Sequence, residues 1–271
     1  MKIIQLNVWH FKYLQEIIEF LKTEKPNVVN LQEVSSGRFN YCDSFIEQPF
    51  ELLKKELKLN GVFAPFSGLK SNEGKVSLSG NAFLTDLEIV DSGVFFEPTL
   101  PNYTEYTEDH DLIKTTIQND KSKYYNVFEE PKNFLWSVLK NKDGIYFRNI
   151  VSHFTVSYGC EETLQTIQQT RTLLNFLNNV KDIPVIFAGD LNIHDKSASV
   201  ALLSQHLDLV NKDTSNSLNK VVHPIFSNIP DLQGLRVDYI FQKGFRCKTY
   251  HVPEITVSDH LPVVAELDLI N

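Results

Sequence analysis

The sequence has little cysteine, no excess of positive charge and no long apolar run. Only three of its 271 residues are cysteines, Cys42, Cys160 and Cys247, and no CxxC or Cys/His spacing relates them. A disulfide framework and a thiolate zinc site are therefore excluded as the basis of the fold, and we expect reduced thiols.

The formal net charge of -8 at pH 7 argues against binding to nucleic acid or an anionic membrane by charge alone, which requires clustered lysine and arginine. A local basic cleft stays open. The sequence is strand-like from its start, which leaves no room for a signal peptide, and its apolar runs are shorter than the ~20 residues of a membrane-spanning helix. We expect a soluble, cytoplasmic monomer without a membrane anchor or an obligate protein partner.

Hydrophobic periodicity predicts an alternation of strands and helices. Predicted helices lie between Phe11 and Pro26, at 49–59, at 161–180 and after Ser197. Predicted strands lie at 2–8, 27–32, 61–66, 80–85, 87–96, 124–130, 133–140, 145–154, 184–189, 236–241, 247–252 and 262–269. This order predicts one domain, 1–271, in which two packed sheets have helices outside them.

The helix predicted at 161–180 has two specific features. Leu164, Ile167, Leu174 and Leu177 share one face, which predicts the buried side. Glu161 and Glu162 would lie in the first turn, where the helix dipole favours anions. The segment 97–123 has neither strand nor helix period and is interpreted as a surface loop, with a lid or specificity loop as the alternative.

Polar residues stand where the predicted apolar strands end. They are Asn7, Glu33, His153, Asp190 with Asn192, Asp238, and Asp259 with His260. Any one of them alone is an ordinary turn residue. In layered α/β proteins, however, polar groups at the same ends of neighbouring strands converge on one crevice, so the whole set predicts a binding site.

The residue types indicate the chemistry of that site. Carboxylates and carboxamides without a thiolate suit Mg²⁺ or Mn²⁺ and disfavour zinc. Such an ion suits phosphoryl chemistry, in which the metal neutralises phosphate charge and a carboxylate or imidazole handles the proton of water. Asp238 and His260 fit a carboxylate that fixes the tautomer of an imidazole. Crowding should raise the pKa of at least one carboxyl group without metal.

The ordered motifs resemble those of the endonuclease/exonuclease/phosphatase superfamily. They are QLNVW at Asn7, LQEV at Glu33, GNAFLT at 80–85, VSHF at His153, GDLN at Asp190 and Asn192, VDYIF at Asp238, and SDHLPV at Asp259 and His260. The resemblance runs from residue 3 to about residue 268. It implies a four-layer α/β sandwich, with two mainly antiparallel sheets flanked by helices, that hydrolyses a phosphoester in line with a metal-assisted water.

The resemblance also implies roles for these residues. Glu33, Asp259 and Asn7 would bind the metal, and Asn7, His153 and Asn192 would contact the phosphate. The implied catalytic residues are His153, Asp190, Asn192, Asp238 and His260. Asp190 and Asn192 would orient or deprotonate the water. His260, held by Asp238, would bind a phosphate oxygen or act as the base, and His153 would contact the phosphate or protonate the leaving group.

Three functions are compatible with this sequence. The first is hydrolysis of a phosphodiester in nucleic acid or a nucleotide-like substrate. The second is a phosphatase or sphingomyelinase-like phospholipase acting on a small phosphorylated sugar or lipid. The third is an inactive binding module, which we disfavour because idle charged groups have no physical reason to stay buried.

A few residues bear on the substrate. Abasic-site endonucleases of the resembled family tend to carry a Trp-rich, basic segment between the positions that match Asn192 and Asp238. The segment 216–236 has no tryptophan and few basic residues, and this departure from the family pattern disfavours the repair of duplex DNA. Large aromatic residues that could anchor a membrane enzyme, but are more typical of a core, are Trp9, Phe95 and Phe96. Arginines that could bind a second phosphate, or serve the structure alone, are Arg38, Arg148, Arg171 and Arg236.

Overall fold

The computed structural model describes residues 1–37, 48–70, 76–96, 132–223 and 234–270. Several sequence interpretations lie outside these ranges and stay predictions. They concern Cys42, Arg38, the loop 97–123 and the strand 124–130.

The described strands form two six-stranded sheets. Sheet I has, in spatial order, β11 (Phe245–His251), β12 (Val263–Leu269), β1 (Lys2–Asn7), β2 (Val28–Ser35), β4 (Val76–Thr85) and β3 (Asn60–Lys70). Sheet II has β5 (Glu88–Phe96), β6 (Asn133–Lys140), β7 (Tyr146–His153), β8 (Val185–Asp190), β10 (Asp238–Lys243) and β9 (Asp208–Leu209). The pairs β1–β2 and β7–β8 are parallel, and the other pairs are antiparallel.

Helices cover the outer faces of both sheets. The helices α1 (Leu14–Glu24) and α2 (Pro49–Leu57) pack on sheet I, while α3 (Leu164–Asn179) and α4 (Ala198–His206) pack on sheet II. The predicted four-layer α/β sandwich is therefore confirmed. In the described part of the chain, no helix is both long enough and apolar enough to cross a lipid bilayer.

The starts of α3 and α4 are set by capping side chains. Ser197 caps α4, as predicted, because its hydroxyl accepts a hydrogen bond from the amide of Val200. At α3, Thr163 and Thr166 form a reciprocal capping box.

The capping box corrects two expectations about α3. Glu161 and Glu162 precede the helix instead of occupying its first turn, and Glu162 accepts a hydrogen bond from the amide of Ser199. Leu164 is 76% exposed instead of buried. The face towards sheet II is partly polar. It includes Gln169, which exchanges hydrogen bonds with Thr155.

The interior between the sheets combines apolar packing with buried amide pairs. The apolar residues of this core include Ile3, Val28, Phe83, Leu135, Phe147 and Ile186. Asn30 of β2 and Asn149 of β7 exchange two hydrogen bonds, of 3.1 Å and 2.8 Å. Asn81 of β4 donates to Oδ1 of Asn133 of β6 at 2.9 Å. These amide hydrogen bonds therefore link the inner faces of the two sheets.

Candidate active site

Three strand-end residues of sheet II lie side by side. His153 ends β7, Asp190 ends β8, and Asp238 begins the antiparallel β10. The ladder places Asp190 directly opposite both His153 and Asp238. A Cβ atom at Gly189 would lie 2.4 Å from the carbonyl oxygen of Ser152, so only glycine permits this close approach beside the site.

Asn7 joins this group to sheet I. It ends β1, and its Nδ2 atom donates to Oε1 of Glu33 at 3.0 Å and to Oδ2 of Asp190 at 3.1 Å. Asn7 and Asp190 are buried. The fold thus brings Asn7, Glu33 and Asp190 together across the two sheets.

The sequence interpretation placed Glu33 at the end of a strand, but the strand continues to Ser35. Glu33 lies within β2, where the pairing with β4 shifts register between Leu31 and Val34. Its φ of 51° is left-handed. This irregularity turns the side chain towards Asn7, and such strain is typical of functional sites.

His10 is a neighbour of Glu33 that the sequence interpretation missed. It lies in a turn in which Trp9, His10 and Phe11 all have positive φ, of 45°, 51° and 62°. The turn places Nε2 of His10 3.4 Å from Oε2 of Glu33. No sequence pattern indicates a run of left-handed residues without glycine.

Asp238 and His260 form the closest contact between an imidazole and a carboxylate at the site. Nδ1 of His260 lies 2.8 Å from Oδ2 of Asp238, and its Nε2 lies 3.6 Å from Oδ2 of Asp190. Oδ1 of Asp238 accepts a hydrogen bond from Gln5 at 3.2 Å, and Gln5 also exchanges hydrogen bonds with Gln32. The fold therefore brings the predicted pair together and surrounds Asp238 with donors.

Asp259 and His260 do not follow a strand, which corrects the sequence interpretation. They lie in the connection between β11 and β12, where His260 forms an isolated bridge with Leu218. Asp259 is buried and accepts a hydrogen bond from the hydroxyl of Ser258. Nε2 of His223, which the sequence interpretation also missed, lies 3.7 Å from Oδ2 of Asp259.

Asn192 and His153 flank Asp190. The backbone amide of Asn192 donates to Oδ1 of Asp190 at 2.9 Å, and its side-chain amide donates to the carbonyl of Phe154. Nε2 of His153 lies 3.5 Å from Oδ2 of Asp190. All the predicted site residues are thus located at one end of the two sheets.

Burial is the largest cause of the raised carboxyl pKa values. It raises the pKa of Glu33, that of Asp190 to about 6 and that of Asp259 to about 7. Neighbouring carboxylates raise them further, as crowding predicts: Asp190 acts on Glu33, Asp238 on Asp190, and Glu33 on Asp259. A divalent cation beside such groups restores their ionisation.

The histidines His153 and His260 differ in charge. Burial alone would lower the pKa of His260, but the charges of Asp238, Asp190 and Asp259 raise it well above its usual value. Burial lowers the pKa of His153 well below its usual value, and the positive charge of Lys132 adds to that effect. At neutral pH His260 is therefore cationic and His153 is neutral.

Two carboxylates of the site fit a divalent cation. Asp259 is buried, Glu33 is partly buried, and the two repel each other electrostatically, since the charge of Glu33 raises the pKa of Asp259. Oxygen donors of this kind are the ligands that Mg²⁺ and Mn²⁺ prefer.

The described arginines serve the structure more than the site. Arg236 is buried and donates to the backbone carbonyls of Asn211 and Lys212. Arg148 is buried between the rings of Trp136 and Phe176. Arg171 is exposed on α3.

The aromatic residues considered as membrane anchors divide into two kinds. Trp9 is buried beside the site, and Phe95 stacks on Phe134 and contacts Phe176. Phe96 is 60% exposed at the end of β5. The core interpretation therefore holds for Trp9 and Phe95 but not for Phe96.

A known family model matches most of the chain. The model of the endonuclease/exonuclease/phosphatase family matches residues 4–260. A UPF0294 protein of Vibrio cholerae is 28% identical over 144 residues, which are 52% of this chain and 47% of that protein. The chain thus spans about half the length of the curated relatives it matches.

Solved structures share the fold over nearly the whole chain. The mannosyl-6-phosphatase Bt3783 of Bacteroides thetaiotaomicron is 17% identical, with a TM-score of 0.67 and coverage of 99% of this chain and 100% of that chain. The human Nocturnin catalytic domain, solved with a bound sulfate anion, is 16% identical, with a TM-score of 0.60 and coverage of 99% and 94%.

Proposed function

The chain belongs to the endonuclease/exonuclease/phosphatase family, whose members hydrolyse phosphoesters, and on that premise we propose that it is a divalent-metal-dependent phosphodiesterase. Its substrate is a phosphodiester in nucleic acid or a nucleotide-like molecule. The observation that carries this proposal is the cluster of Asn7, Asp190, Asp238 and His260, in which groups from both sheets meet in hydrogen-bonding or near hydrogen-bonding contact.

Glu33, Asp259 and Asn7 are the proposed metal ligands, with Mg²⁺ or Mn²⁺ as the ion. When bound, the ion withdraws charge from the phosphate oxygens. The crowding of Glu33 and Asp259 supports this assignment, because burial and the charge of a neighbouring carboxylate raise the pKa of each group, and a bound dication would favour the ionised forms.

Asp190 is the proposed general base. Its pKa of about 6 is close to neutral, where a base is both ionised and able to accept a proton from water. The amide of Asn192 holds Oδ1 of Asp190, which leaves Oδ2 towards Asn7, His153 and His260. Asn192 thereby orients the carboxylate that accepts the proton.

His260 is the proposed contact for a phosphate oxygen. Asp238 holds Nδ1 and keeps the ring cationic, so Nε2 can donate a charge-assisted hydrogen bond to the phosphate. His153 is neutral and is proposed to donate its N–H to the phosphate, not to protonate the leaving group. This assignment chooses between the alternatives that the sequence left open.

A phosphatase acting on a small phosphorylated sugar or lipid is the second candidate. It is favoured by the likeness to a mannosyl-6-phosphatase. The described arginines Arg148 and Arg236 are engaged by the structure, and the charges of Lys132 and His260 both act on Glu33 and His153. A site with few cations among the described residues suits a compact substrate as well as a polymer.

A substrate panel tests both candidates. The purified chain is assayed with Mg²⁺ or Mn²⁺ on single-stranded DNA, duplex DNA, RNA, sphingomyelin and inositol phosphates, and on bis(4-nitrophenyl) phosphate against 4-nitrophenyl phosphate. Diester cleavage that is lost in Asp190→Asn and kept in the exposed Asp182→Asn supports the proposal. Cleavage of monoesters alone favours the phosphatase, and no cleavage of any substrate contradicts both.

A further inference from the structure

A second group of possible metal ligands lies beside the proposed magnesium site. It consists of the buried side chains of His223, Asp259 and His260, and one donor atom from each lies within 4.8 Å of the others. Asp259 is common to both groups. Two imidazoles and one carboxylate form a donor set that suits transition-metal ions better than magnesium.

We propose that His223, Asp259 and His260 form a nitrogen-containing cation site that takes a transition-metal dication such as Zn²⁺ and discriminates against Mg²⁺. The site goes beyond the proposed hydrolysis, because the binding of this ion does not require an active phosphoesterase. An ion bound here would occupy Asp259 and Nε2 of His260, so it would compete with the proposed magnesium ion and with the proposed phosphate contact.

The distances fit one shared ion. At a metal–ligand distance of ~2.1 Å, two donor atoms on the same cation are separated by about 3.0 Å to 4.2 Å. Nε2 of His223 and Oδ2 of Asp259 are 3.7 Å apart, inside that range and too far apart for a good hydrogen bond. The 4.8 Å limit for the whole set requires only a small side-chain movement.

Nε2 is the nitrogen of His260 that can bind an ion. Its Nδ1 atom lies 2.8 Å from Asp238, so that nitrogen carries the proton, whereas Nε2 lies 3.6 Å from Oδ2 of Asp190. A carboxylate that holds the far nitrogen of an imidazole is the usual support for a metal-bound histidine. A metal ion at Nε2 would replace the proton that this atom carries in the metal-free protein.

The sequence interpretation disfavoured zinc because the chain has no thiolate cluster. It missed His223 because this residue follows no strand. His223 is brought to Asp259 by the segment before it, in which Asn219 accepts a backbone hydrogen bond from the amide of His223 and donates to the carbonyl of Ser258. The rings of His223 and His260 are 6.2 Å apart between centroids, so both lie at one site.

The test measures zinc directly on the metal-free full chain, without substrate. Zinc is titrated in competition with a chromophoric chelator, for the native chain, His223→Gln and the control His194→Gln. His194 is a matched control because it also faces a carboxylate, Glu161, at 3.3 Å. We expect zinc affinity to fall at least about 10-fold in His223→Gln and to be unchanged in His194→Gln.

X-ray absorption spectroscopy of the native chain with one equivalent of zinc keeps the test independent of any folding defect in the variant. Two imidazole ligands are expected in the native chain and one in His223→Gln. One imidazole or none in the native chain, equal zinc affinity in His223→Gln, or displacement of zinc by a modest excess of Mg²⁺ would overturn the proposal. Because no substrate is present, none of these outcomes bears on the proposed phosphodiesterase activity.

Discussion

The two sheets supply their parts of the site in different ways. On sheet II, His153, Asp190 and Asp238 are direct neighbours in a regular ladder. On sheet I, Glu33 lies at an irregularity within β2, and Asp259 lies in the connection into β12. The groups proposed for proton transfer and phosphate contact thus come mainly from regular pairing, whereas the two proposed carboxylate ligands, Glu33 and Asp259, come from irregular backbone.

The largest expected effects separate these two parts. Glu33→Gln should lose both activity and metal binding, since a neutral amide replaces the main proposed ligand. Asp190→Asn should lower turnover about 100-fold to 10,000-fold and leave metal affinity within a few-fold, because it removes the proposed base. Turnover and Mg²⁺ titrations of the two variants, on a substrate found in the panel, measure this difference.

Asp182→Asn is the control, because Asp182 is exposed and pairs with Lys243. The comparison between the sheets breaks down if Asp190→Asn loses metal affinity as completely as Glu33→Gln does.

The second prediction concerns the pH dependence of stability without metal. The pKa values of Asp190 and Asp259 in the folded chain, about 6 and about 7, exceed the ordinary value of 3.8. Between the ordinary and the folded pKa the folded chain binds more protons, so the free energy of unfolding falls as pH rises. The raised pKa of His260 acts in the same direction, because its stabilisation is lost as pH rises through that value.

Thermal melts in a chelator measure this effect. We expect a loss of about 1 kcal/mol or more between about pH 6.5 and about pH 8, or roughly 2 to 4 °C in Tm. This interval lies above the ordinary pKa of His153 and His223, whose lowered pKa values act in the opposite direction at lower pH. Added Mg²⁺ should raise the Tm more at the higher pH, because it stabilises ionised carboxylates. A metal-free Tm that rises over this interval would refute the assignment of these pKa values.

The third prediction tests the role of Asp238, which lies in the regular strand pairing of sheet II. Asp238→Asn should lower turnover about 10-fold to 100-fold, because it removes the carboxylate that orients His260 and keeps it cationic. The pH dependence of kcat should shift to lower pH, since the pKa of His260 falls. Asp208→Asn, in which the lost carboxylate contacts only Gln242 among the described hydrogen bonds, should change neither quantity.

The smallest expected effect is at Gln5, which joins the two parts of the site. Gln5→Leu removes the donor to Asp238 and leaves the buried amide of Gln32 without its partner. We expect a loss of about 1 to 3 kcal/mol in unfolding free energy and a few-fold loss of turnover. Urea denaturation, with the exposed Gln15→Leu as control, checks this prediction; equal stability of the two variants would contradict it.

The regular part of the site could be predicted from the sequence. His153, Asp190 and Asp238 each adjoin a strongly apolar strand, and neighbouring strand ends converge in layered α/β folds. The same periodicity predicted the helices and all described strands except the two-residue β9, while the predicted strand 124–130 lies outside the described residues. The single-domain interpretation stays a prediction.

For the irregular part of the site, the sequence predicted the residues but not the backbone that positions them. Glu33, Asp259 and His260 were identified, but not the distorted strand or the connection that holds them. His10 and His223 were missed because a left-handed turn and a tertiary contact, not periodicity, place them. Leu164 was wrongly placed in the core because a capping box begins α3 at a position that turns this side chain to solvent.

The amide pairs between the sheets make hydrogen bonds that require a defined direction, which apolar contacts do not. Asn30 with Asn149, and Asn81 with Asn133, can bond only when one sheet sits at a single offset relative to the other. A shift of one sheet against the other by about 1 Å would break these hydrogen bonds and leave the buried amides without a partner. These four asparagines, although remote from the candidate site, therefore fix how the two sheets align at the crevice. We expect their replacement by apolar residues to preserve folding but to make that alignment less precise.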